Sequence, residues 1–367
     1  MNITFFIGST TGGGAEHVIC ELATYMSEHG HRTTILTVTQ TPHSYSIGKD
    51  VKVATLDLKG VEKLPKFRTI AKMCKLFRYV RCSKTDLYIV FLPDTIRALM
   101  FFRRWIHKPV LISERNAPTS YSDKLQEQMI NAFRQADGCV FQTEDAFSFY
   151  AKAIPNLRQA TVIPNAITGK VTEPYTGRRE KKIVSVGRFN EQKNFPLLIK
   201  SFAQIRKTNP EYKLYIYGMG NLLGEYTELC KNLGIEEAVC FPGFVSDVTD
   251  RIKDASAFVL SSDYEGMPNA LIEAMSVGLP CVSTDCGGGG ARFLIQSGEN
   301  GYLVEKGNVD ALSDGILKIL NNPKDAERIG RNAQKIAEKL SKENVYSAWK
   351  KQIESVAEQY EKKKRQL

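Results

Sequence analysis

Short apolar segments alternate with helical segments along this chain, and the whole pattern occurs twice. Residues 3–7 form a short apolar strand, which a Ser/Thr/Gly loop joins to a segment at 15–29 with apolar residues at helical spacing. Strands that alternate with helices predict a parallel sheet with helices on its faces. The alternation stops in a polar stretch at 168–182 and then restarts. We therefore predict two doubly wound α/β domains, the number that 367 residues also favour.

The predicted strands fall into one group in each half. The first group is Ile3–Ile7, Thr33–Val38, Leu87–Phe91, Val110–Ile112, Gly138–Gln142 and Val162–Asn165. The second group is Lys182–Val186, Tyr212–Tyr217, Val239–Phe241, Ala257–Leu260 and Pro280–Ser283. Ligands of doubly wound sheets bind at the carboxyl ends of the strands. The loops that follow these strands are therefore where we expect function.

The composition is that of a soluble globular protein, with 43% hydrophobic and 25% charged residues. No apolar run approaches the roughly 18 residues that a membrane span needs. The first residues lack the basic region and cleavage site of a signal peptide. The eight cysteines form no C-x-x-C pair, so we predict reduced thiols and a cytoplasmic location.

The formal net charge of +10 suggests an anionic partner. Residues 63–84 hold eight Lys or Arg and no acid, with apolar residues at helical spacing, and 97–108 repeat the mixture of cations and aromatic residues. Such helices bind anionic bilayers, which predicts a peripheral location on the inner face of the plasma membrane. The alternative is a surface helix whose apolar stripe faces its own core. No nucleic-acid-binding motif accompanies the charge, so we expect no nucleic-acid partner.

The first strand is followed by a glycine-rich loop, Gly8-Ser-Thr-Thr-Gly-Gly-Gly-Ala-Glu16. Glycines before a helix let backbone N–H groups approach an anion. A dinucleotide site would need an acid at the end of the second strand, but Leu36–Gln40 contains none. The Walker pattern also fails, because no Lys-Ser/Thr follows the glycines. The loop is therefore either an anion or substrate contact or merely a tight turn.

A second loop, after the strand that ends at Val186, carries two cations. Arg188 and Lys193 flank a short segment before the next helix. A guanidinium and an ammonium at the carboxyl end of a strand suit the oxygens of a diphosphate. The alternative is a pair of ordinary surface charges.

A third loop places Glu265 before a turn and Glu273 eight positions later, inside an apolar helix. The turn Gly266-Met267-Pro268-Asn269 leads into that helix, with Pro268 suited to its first turn. N–H groups at the helix start favour an anion. A buried carboxylate needs partners, and ribose hydroxyls would supply them for Glu273. The alternative is a solvent-facing glutamate.

With Gly278-Leu279-Pro280, these residues resemble the E-x7-E signature of retaining glycosyltransferases of the GT-B fold, and more narrowly of family 4. That family makes bacterial capsules, O-antigens (a part of lipopolysaccharide) and exopolysaccharides. The resemblance covers nearly the whole chain. It implies two Rossmann-like domains that face a central cleft.

The resemblance also implies domain boundaries. It predicts an acceptor-binding domain at 1–168, a linker at 169–182 and a donor-binding domain at 183–344. A C-terminal helix at 345–367 is expected to pack back on the first domain.

The resemblance implies roles for particular residues. Glu265 would contact the donor sugar and Glu273 the ribose, while Arg188 and Lys193 would hold the diphosphate. The backbone of the helix start and the loops around the base would bind the nucleotide, through Gly266, Met267, Pro268, Asn269, Ala270, Gly218, Gly243 and Val245. The acceptor loop would contain Gly13, Gly14 and Glu16.

The sequence departs from the family at two positions. Many relatives carry a histidine after the fourth strand, where this chain has Arg115, which can hydrogen-bond but cannot act as a base. Relatives often have an acid where this chain has Phe293. We include Arg115 among the predicted catalytic residues.

The implied activity is transfer of a hexose or N-acetylhexosamine from a UDP-sugar to a glycan, most plausibly one on a polyprenyl diphosphate, in surface polysaccharide synthesis. The nucleotide-sugar would be a substrate, with no cofactor and no metal. A glycosidase or an NAD-dependent enzyme is the alternative, but a glycosidase needs no cationic diphosphate pocket. No motif specifies the particular sugar, nucleotide, acceptor, linkage or oligomeric state.

Overall fold

A computed structural model of the protein describes residues 1–42, 45–57, 65–167, 175, 177–245 and 247–366; of residues 65–67 it describes only the backbone. The chain divides into two compact units, Met1–Ala166 with Lys342–Leu367, and Ile167–Ser341. Each unit is built on its own sheet. Half of the predicted linker at 169–182 lies outside the described residues.

The first unit contains a seven-stranded sheet in which every described pairing is parallel. Its strand order is β3-β2-β1-β4-β5-β6-β7. The strands are β1 (Asn2–Ile7), β2 (Arg32–Thr37), β3 (Lys52–Thr55), β4 (Leu87–Phe91), β5 (Val110–Ser113), β6 (Gly138–Phe141) and β7 (Ala160–Val162). Central strands such as β4 are buried at every residue, because helices cover both faces of a parallel sheet.

Helices follow the strands as a doubly wound fold requires. The helices of the first unit are α1 (Gly14–Glu28), α2 (Pro65–Cys82), α3 (Pro93–Phe101), α4 (Asp123–Gln135), α5 (Glu144–Ala153) and, from the end of the chain, α14 (Lys342–Arg365). Short 3₁₀ turns lie at Arg103–Trp105 and Pro118–Ser120.

The second unit contains a six-stranded parallel sheet of order β10-β9-β8-β11-β12-β13. Its strands are β8 (Glu180–Val186), β9 (Lys213–Tyr217), β10 (Val239–Gly243), β11 (Ala255–Leu260), β12 (Cys281–Thr284) and β13 (Tyr302–Val304). Its helices are α6 (Phe195–Ile205), α7 (Leu223–Asn232), α8 (Val248–Ile252), α9 (Asn269–Ser276), α10 (Gly290–Leu294), α11 (Val309–Leu320), α12 (Pro323–Gln334) and α13 (Ile336–Lys339), with 3₁₀ turns at Glu191–Lys193 and Glu236–Ala238.

Two doubly wound sheets are thus confirmed, but the strand predictions err at the sheet edges. Strand β3 is absent from the predicted strands, because Lys52-Val53-Ala54-Thr55 is too short to show a clear apolar period. All four of its residues are exposed or half-buried. The segment at Tyr302–Val304 is absent from the predicted strands and is edge strand β13. Strand β7 ends at Val162, earlier than the predicted Val162–Asn165, so Asn165 lies in the loop beyond the sheet.

Helix α14 packs within the first unit, on α1 and on the sheet. The Tyr346 hydroxyl donates to the Glu21 carboxylate over 2.7 Å, and the Lys342 ammonium lies 2.6 Å from its other oxygen. Trp349 is fully buried, with its ring centroid 5.7 Å from that of Phe91 in β4. The C-terminal helix α14 therefore completes the core of the first unit.

Candidate active site

The candidate site lies at the carboxyl ends of β8 and β11, the two strands between which the strand order of the second sheet reverses. Such a reversal point is where doubly wound sheets bind ligands. The loops after the two strands contact each other directly. The Asp263 N–H donates to the Gln192 carbonyl over 2.9 Å, and the Asn194 amide donates to the Asp263 carboxylate over 3.0 Å.

Lys193 and Glu265, predicted in separate motifs, form an ion pair at the centre of this site. Their charged atoms lie 2.6 Å apart. The Ser262 hydroxyl donates to the same carboxylate over 2.7 Å, and Glu265 is only 7% exposed. A nearly buried carboxylate of this kind is stable because a cation and a hydroxyl group satisfy it.

Arg188 lies in the same loop as Lys193, and its side chain is exposed. Within the described part of the chain, no hydrogen bond or ion pair is found for its guanidinium. The loop therefore presents one cation that is already paired and one that faces solvent.

Helix α9 begins directly after Glu265, at Asn269. Pro268 is its N-cap residue rather than the first helical residue, and no side chain caps the helix start. The first N–H groups of a helix have no partner within it and carry partial positive charge. Glu273 is half-buried, whereas we predicted a buried carboxylate, and its neighbours Leu271, Ile272, Ala274 and Met275 are buried.

Close backbone contacts between glycines hold the loops of the site together. A Cβ on Gly218 would overlap the carbonyl of Gly187, and Gly218 has a φ of +142°. A Cβ on Gly290 would likewise overlap the carbonyl of Gly266. At these two positions only glycine leaves room for the opposite loop.

The loops predicted to border the nucleotide base come together at the ends of β9 and β10. The Gly218 N–H donates to the Gly243 carbonyl over 2.9 Å, and Gly243 has a φ of +84°. Val245 is half-buried, and the side chains of Met219 and Phe244 are exposed beside it. An exposed methionine and phenylalanine form an apolar surface suited to a flat ring.

Comparison with known proteins agrees with this geometry. Residues 174–336 match the family model described as glycosyl transferases group 1. The second unit belongs to the glycosyl transferases group 1 family. The matched segment contains every donor-site residue predicted above, so this glycosyltransferase unit carries the E-x7-E pair at the reversal point of its sheet.

Curated relatives of the group 1 glycosyltransferase unit include bacterial glycosyltransferases. An uncharacterized glycosyltransferase of Haemophilus influenzae is 32% identical over 46% of this chain and 48% of its own length, so that match spans about half of each protein. An α-1,4-N-acetyl-D-galactosaminyltransferase of Campylobacter jejuni, whose name specifies an undecaprenol-diphosphate-linked acceptor, is 25% identical over 97% of this chain and 99% of its own length.

Solved structures share the fold of both units. HepE of Anabaena, crystallised with UDP, has a TM-score of 0.74 at 18% identity and covers 100% of both chains. A variant of TarM of S. aureus, crystallised with UDP and two glycan ligands, has a TM-score of 0.81 at 15% identity, covering 96% of this chain and 99% of that chain. The fold is therefore that of the GT-B glycosyltransferases.

In the first unit, the predicted acceptor loop leads directly into α1. Gly13 is the N-cap residue and Gly14 the first helical residue. The Glu16 carboxylate folds back over Gly13, where a Cβ would overlap it. Glu16 thus lies at the helix start itself, and Gly13 must lack a side chain for it to do so.

Arg115 is 6% exposed and lies inside a polar network of the first unit. Its guanidinium donates to the Asn165 side chain and lies 4.7 Å from the centre of the Phe91 ring. Burial lowers the Arg115 pKa to about 9. These contacts occupy part of the Arg115 guanidinium, and its catalytic role stays a prediction.

The preceding residue, Glu114, is a buried carboxylate that the sequence reasoning passed over. It accepts hydrogen bonds from the hydroxyls of Tyr121 and Tyr150 over 2.7 and 2.6 Å, and from the N–H groups of Arg115 and Asn116 over 2.9 and 3.1 Å. Burial raises its pKa. The available signal was an acid that directly follows an apolar strand. Glu114 holds the loop that carries Arg115.

Two further features concern metal binding and the membrane. Among the residues that the structure describes, no group of three or more His, Cys, Asp or Glu could hold a metal ion. In the same residues, no helix has the length and apolarity to cross a membrane.

Proposed function

We propose that this protein is a retaining glycosyltransferase that transfers a hexose or N-acetylhexosamine from a UDP-sugar to a lipid-linked or growing glycan. The observation that carries the proposal is the Lys193–Glu265 pair, with Glu265 shortly before the uncapped start of α9 and Arg188 exposed in the same loop as Lys193. This arrangement offers a diphosphate two cations and a helix start. It offers a sugar the Glu265 carboxylate at the end of the same site.

The proposed mechanism is mainly electrostatic. Cleavage of the sugar–phosphate bond leaves negative charge on the departing diphosphate, and Arg188, Lys193 and the α9 N–H groups would stabilise that charge. The departing oxygen would take the acceptor proton on the same face of the sugar, so that configuration is retained. Glu265 would stabilise positive charge on the sugar, and Glu273 would bind the ribose. None of these steps requires a metal.

Three similar proteins support the choice of substrates. HepE and the TarM variant were crystallised with UDP, which supports a uridine nucleotide. The Campylobacter jejuni relative spans nearly the whole chain, and its name specifies an acceptor on undecaprenyl diphosphate. A lipid-linked glycan acceptor therefore suits this chain, with the first unit supplying its binding residues, Gly13, Gly14 and Glu16 among them. Arg115, in the same unit, keeps its proposed catalytic role.

A lipid-linked acceptor requires access to a membrane, and we propose that the first unit binds an anionic bilayer on the inner face of the plasma membrane. The two basic segments predicted from sequence, 63–84 and 97–108, contact each other. Residues 63 and 64 lie outside the described residues. The Phe77 ring of α2 lies 5.7 Å from that of Trp105 and 5.3 Å from that of Phe102.

The joined segments present both apolar and cationic groups to solvent. Ile70, Phe101 and Trp105 are 62, 70 and 44% exposed. We call these residues, with the exposed Arg78, Arg81 and Arg104, the basic aromatic face. Exposed aromatic residues among cations are the composition of surfaces that lie in the headgroup region of anionic membranes.

The proposed activity is tested by incubating the full chain with a panel of nucleotide-sugars and a polyprenyl-diphosphate-linked acceptor, with EDTA present. We expect transfer from a UDP-sugar, with the anomeric configuration of the donor kept in the product by NMR. Inversion would contradict retention, and activity only after metal addition would contradict metal independence. Release of free sugar without any acceptor product would favour the glycosidase alternative.

A further inference from the structure

A cavity of about 580 Å³ lies in the first unit, away from the loops of the predicted site. It is lined by residues of β2, β3 and the amino-terminal half of β1 on one side and by the last turns of α2 and residues 83–85 on the other. We call it the amino-end cavity. Its volume is within the range of small-molecule sites.

The cavity exists because α2 covers only part of the sheet. Thr4, Thr34 and Lys52 are paired across the three strands and line the cavity. Two residues further along, Phe6 and Leu36 pair and are buried with Leu76 of α2 in the core. The sheet face thus changes from apolar to polar where the helix no longer covers it.

Five cations line the amino-end cavity, and no acid is found among its described lining residues. They are Arg32, Lys52, Lys75, Arg78 and Lys84. The Lys75 ammonium donates to the carbonyl of Asp57. In the described part of the chain, the side chains of the other four have no hydrogen bond or ion pair. Like charges around one concave site repel each other, and an anion relieves that repulsion.

The floor of the cavity is a chain of hydroxyl groups. Thr4 and Thr85 are buried, with their oxygens 2.7 Å apart. The Tyr79 hydroxyl lies 3.2 Å from Thr4, and the Ser83 hydroxyl 2.9 Å from Thr85. Hydroxyl groups can turn their protons toward an anion, so they add neutral donors beneath the cations.

We propose that the amino-end cavity binds a phosphate group. Arginine and lysine are the side chains that bind phosphate, through a fork of N–H donors and a point charge respectively. The phosphate can belong to a soluble molecule or to an anionic lipid headgroup. This site shares no residue with the predicted donor site, so the proposal stands independently of the proposed sugar transfer; it shares Arg78 with the basic aromatic face.

The chain provides its own reporter, because Cys82 lines the cavity and is exposed. The other exposed thiol is Cys74, and Cys240 is half-buried. In a Cys74→Ser variant, the alkylation rates of Cys82 and Cys240 are followed by peptide mass spectrometry while inorganic phosphate is added at constant ionic strength. We expect saturable protection of Cys82 alone. Phosphate at ten times its Kd leaves about a tenth of the sites open, so alkylation slows roughly tenfold.

Charge-matched variants separate binding from general electrostatics. Arg32→Ala with Lys84→Ala removes two cavity cations, and the protection should disappear. Lys124→Ala with Lys152→Ala removes two exposed lysines of α4 and α5 outside the cavity, and the protection should remain. Equal protection in both double variants, or a linear response without saturation, would overturn the proposal.

Vesicles distinguish the two sources of phosphate. The same measurement is repeated with phosphatidylglycerol vesicles and with neutral phosphatidylcholine vesicles. Protection by free phosphate without lipid indicates a soluble ligand. Protection by phosphatidylglycerol vesicles alone, lost in Arg32→Ala with Lys84→Ala, indicates a lipid headgroup. Protection by neither overturns the proposal.

Discussion

Lys193 has two possible partners in the proposed reaction, and the structure shows one of them. Its ammonium is paired with Glu265, which Ser262 also holds. An incoming diphosphate must therefore compete with Glu265 for the Lys193 ammonium. As the diphosphate takes over part of that interaction, the Glu265 carboxylate becomes available to the sugar. The ion pair holds both side chains in place in the site.

Removing either predicted diphosphate cation should slow transfer. We expect Lys193→Ala and Arg188→Ala each to lower kcat/KM by roughly 10²- to 10³-fold, the usual loss for one preorganised charge contact. Lys200→Ala, an exposed lysine on α6, is the matched control and should retain full activity. Wild-type turnover in either site variant would refute the assignment of that residue.

Two glycines of the second unit should respond in opposite ways to one added methyl group. Gly218→Ala forces a side chain into a φ of +142° and against the Gly187 carbonyl, a strain of about 1–3 kcal/mol from the backbone alone. Gly224→Ala, in the first turn of α7, meets no atom within 4 Å and should raise stability by up to about 1 kcal/mol. Thermal melting by circular dichroism measures both. A Gly218→Ala variant with an unchanged midpoint would contradict the close contact.

The attachment of α14 to α1 depends on one partly buried carboxylate. Burial disfavours the charged form of Glu21, but hydrogen bonds from His17, Lys342 and Tyr346 outweigh it and lower the Glu21 pKa below 4.5. The C-terminal helix is therefore held by hydrogen bonds to a charged group as well as by apolar packing.

Tyr346→Phe should lower the free energy of unfolding of the first unit by about 1.5 kcal/mol, because it removes a hydrogen bond to a charged acceptor. Tyr25→Phe is the control, since its hydroxyl donates over 3.2 Å to the exposed Glu343 and its loss should cost less than about 1 kcal/mol. Urea unfolding is followed by tryptophan fluorescence. Both tryptophans of the chain, Trp105 and Trp349, lie in this unit. Equal losses in both variants would contradict a special role for Tyr346.

The Tyr346→Phe effect should also depend on pH. The Glu21 pKa is lowered in the folded state, so the stability it contributes is present above its ordinary value of 4.5 and is lost as the pH falls through the folded pKa. The difference between wild type and Tyr346→Phe should be full at pH 7 and shrink below 4.5. A difference that grows on acidification would show that Glu21 is not the partner that matters.

In the whole molecule, the basic aromatic face should determine membrane binding. Phe101→Ser with Trp105→Ser should abolish flotation with phosphatidylglycerol vesicles, because it removes the two most exposed rings of that face. Leu233→Ser, which removes an exposed apolar residue of the second unit, should float like wild type. In the wild type, Trp105 fluorescence should shift to the blue on vesicle addition. Flotation of the double variant at the wild-type level would remove this face from the proposal.

Sequence patterns predicted the two sheets and brought the donor-site residues together, because those residues follow strands and the carboxyl ends of parallel strands meet. Patterns could not predict that Lys193 pairs with Glu265 or that Asn165 binds Arg115, since each contact joins segments 50 or more residues apart. The amino-end cavity was hidden for the same reason. Its cations come from β2, β3, α2 and the loop before β4, and none of these segments alone has a phosphate-binding motif.

The glycine contacts of the second unit restrict how its loops can be exchanged. Gly187 and Gly218 belong to loops after neighbouring strands, and so do Gly266 and Gly290. Each loop is shaped by a partner that touches its main chain, so a transplanted loop with a side chain at either contact would displace the loop opposite. To change the sugar that this enzyme accepts, both loops of a contacting pair should therefore be exchanged together.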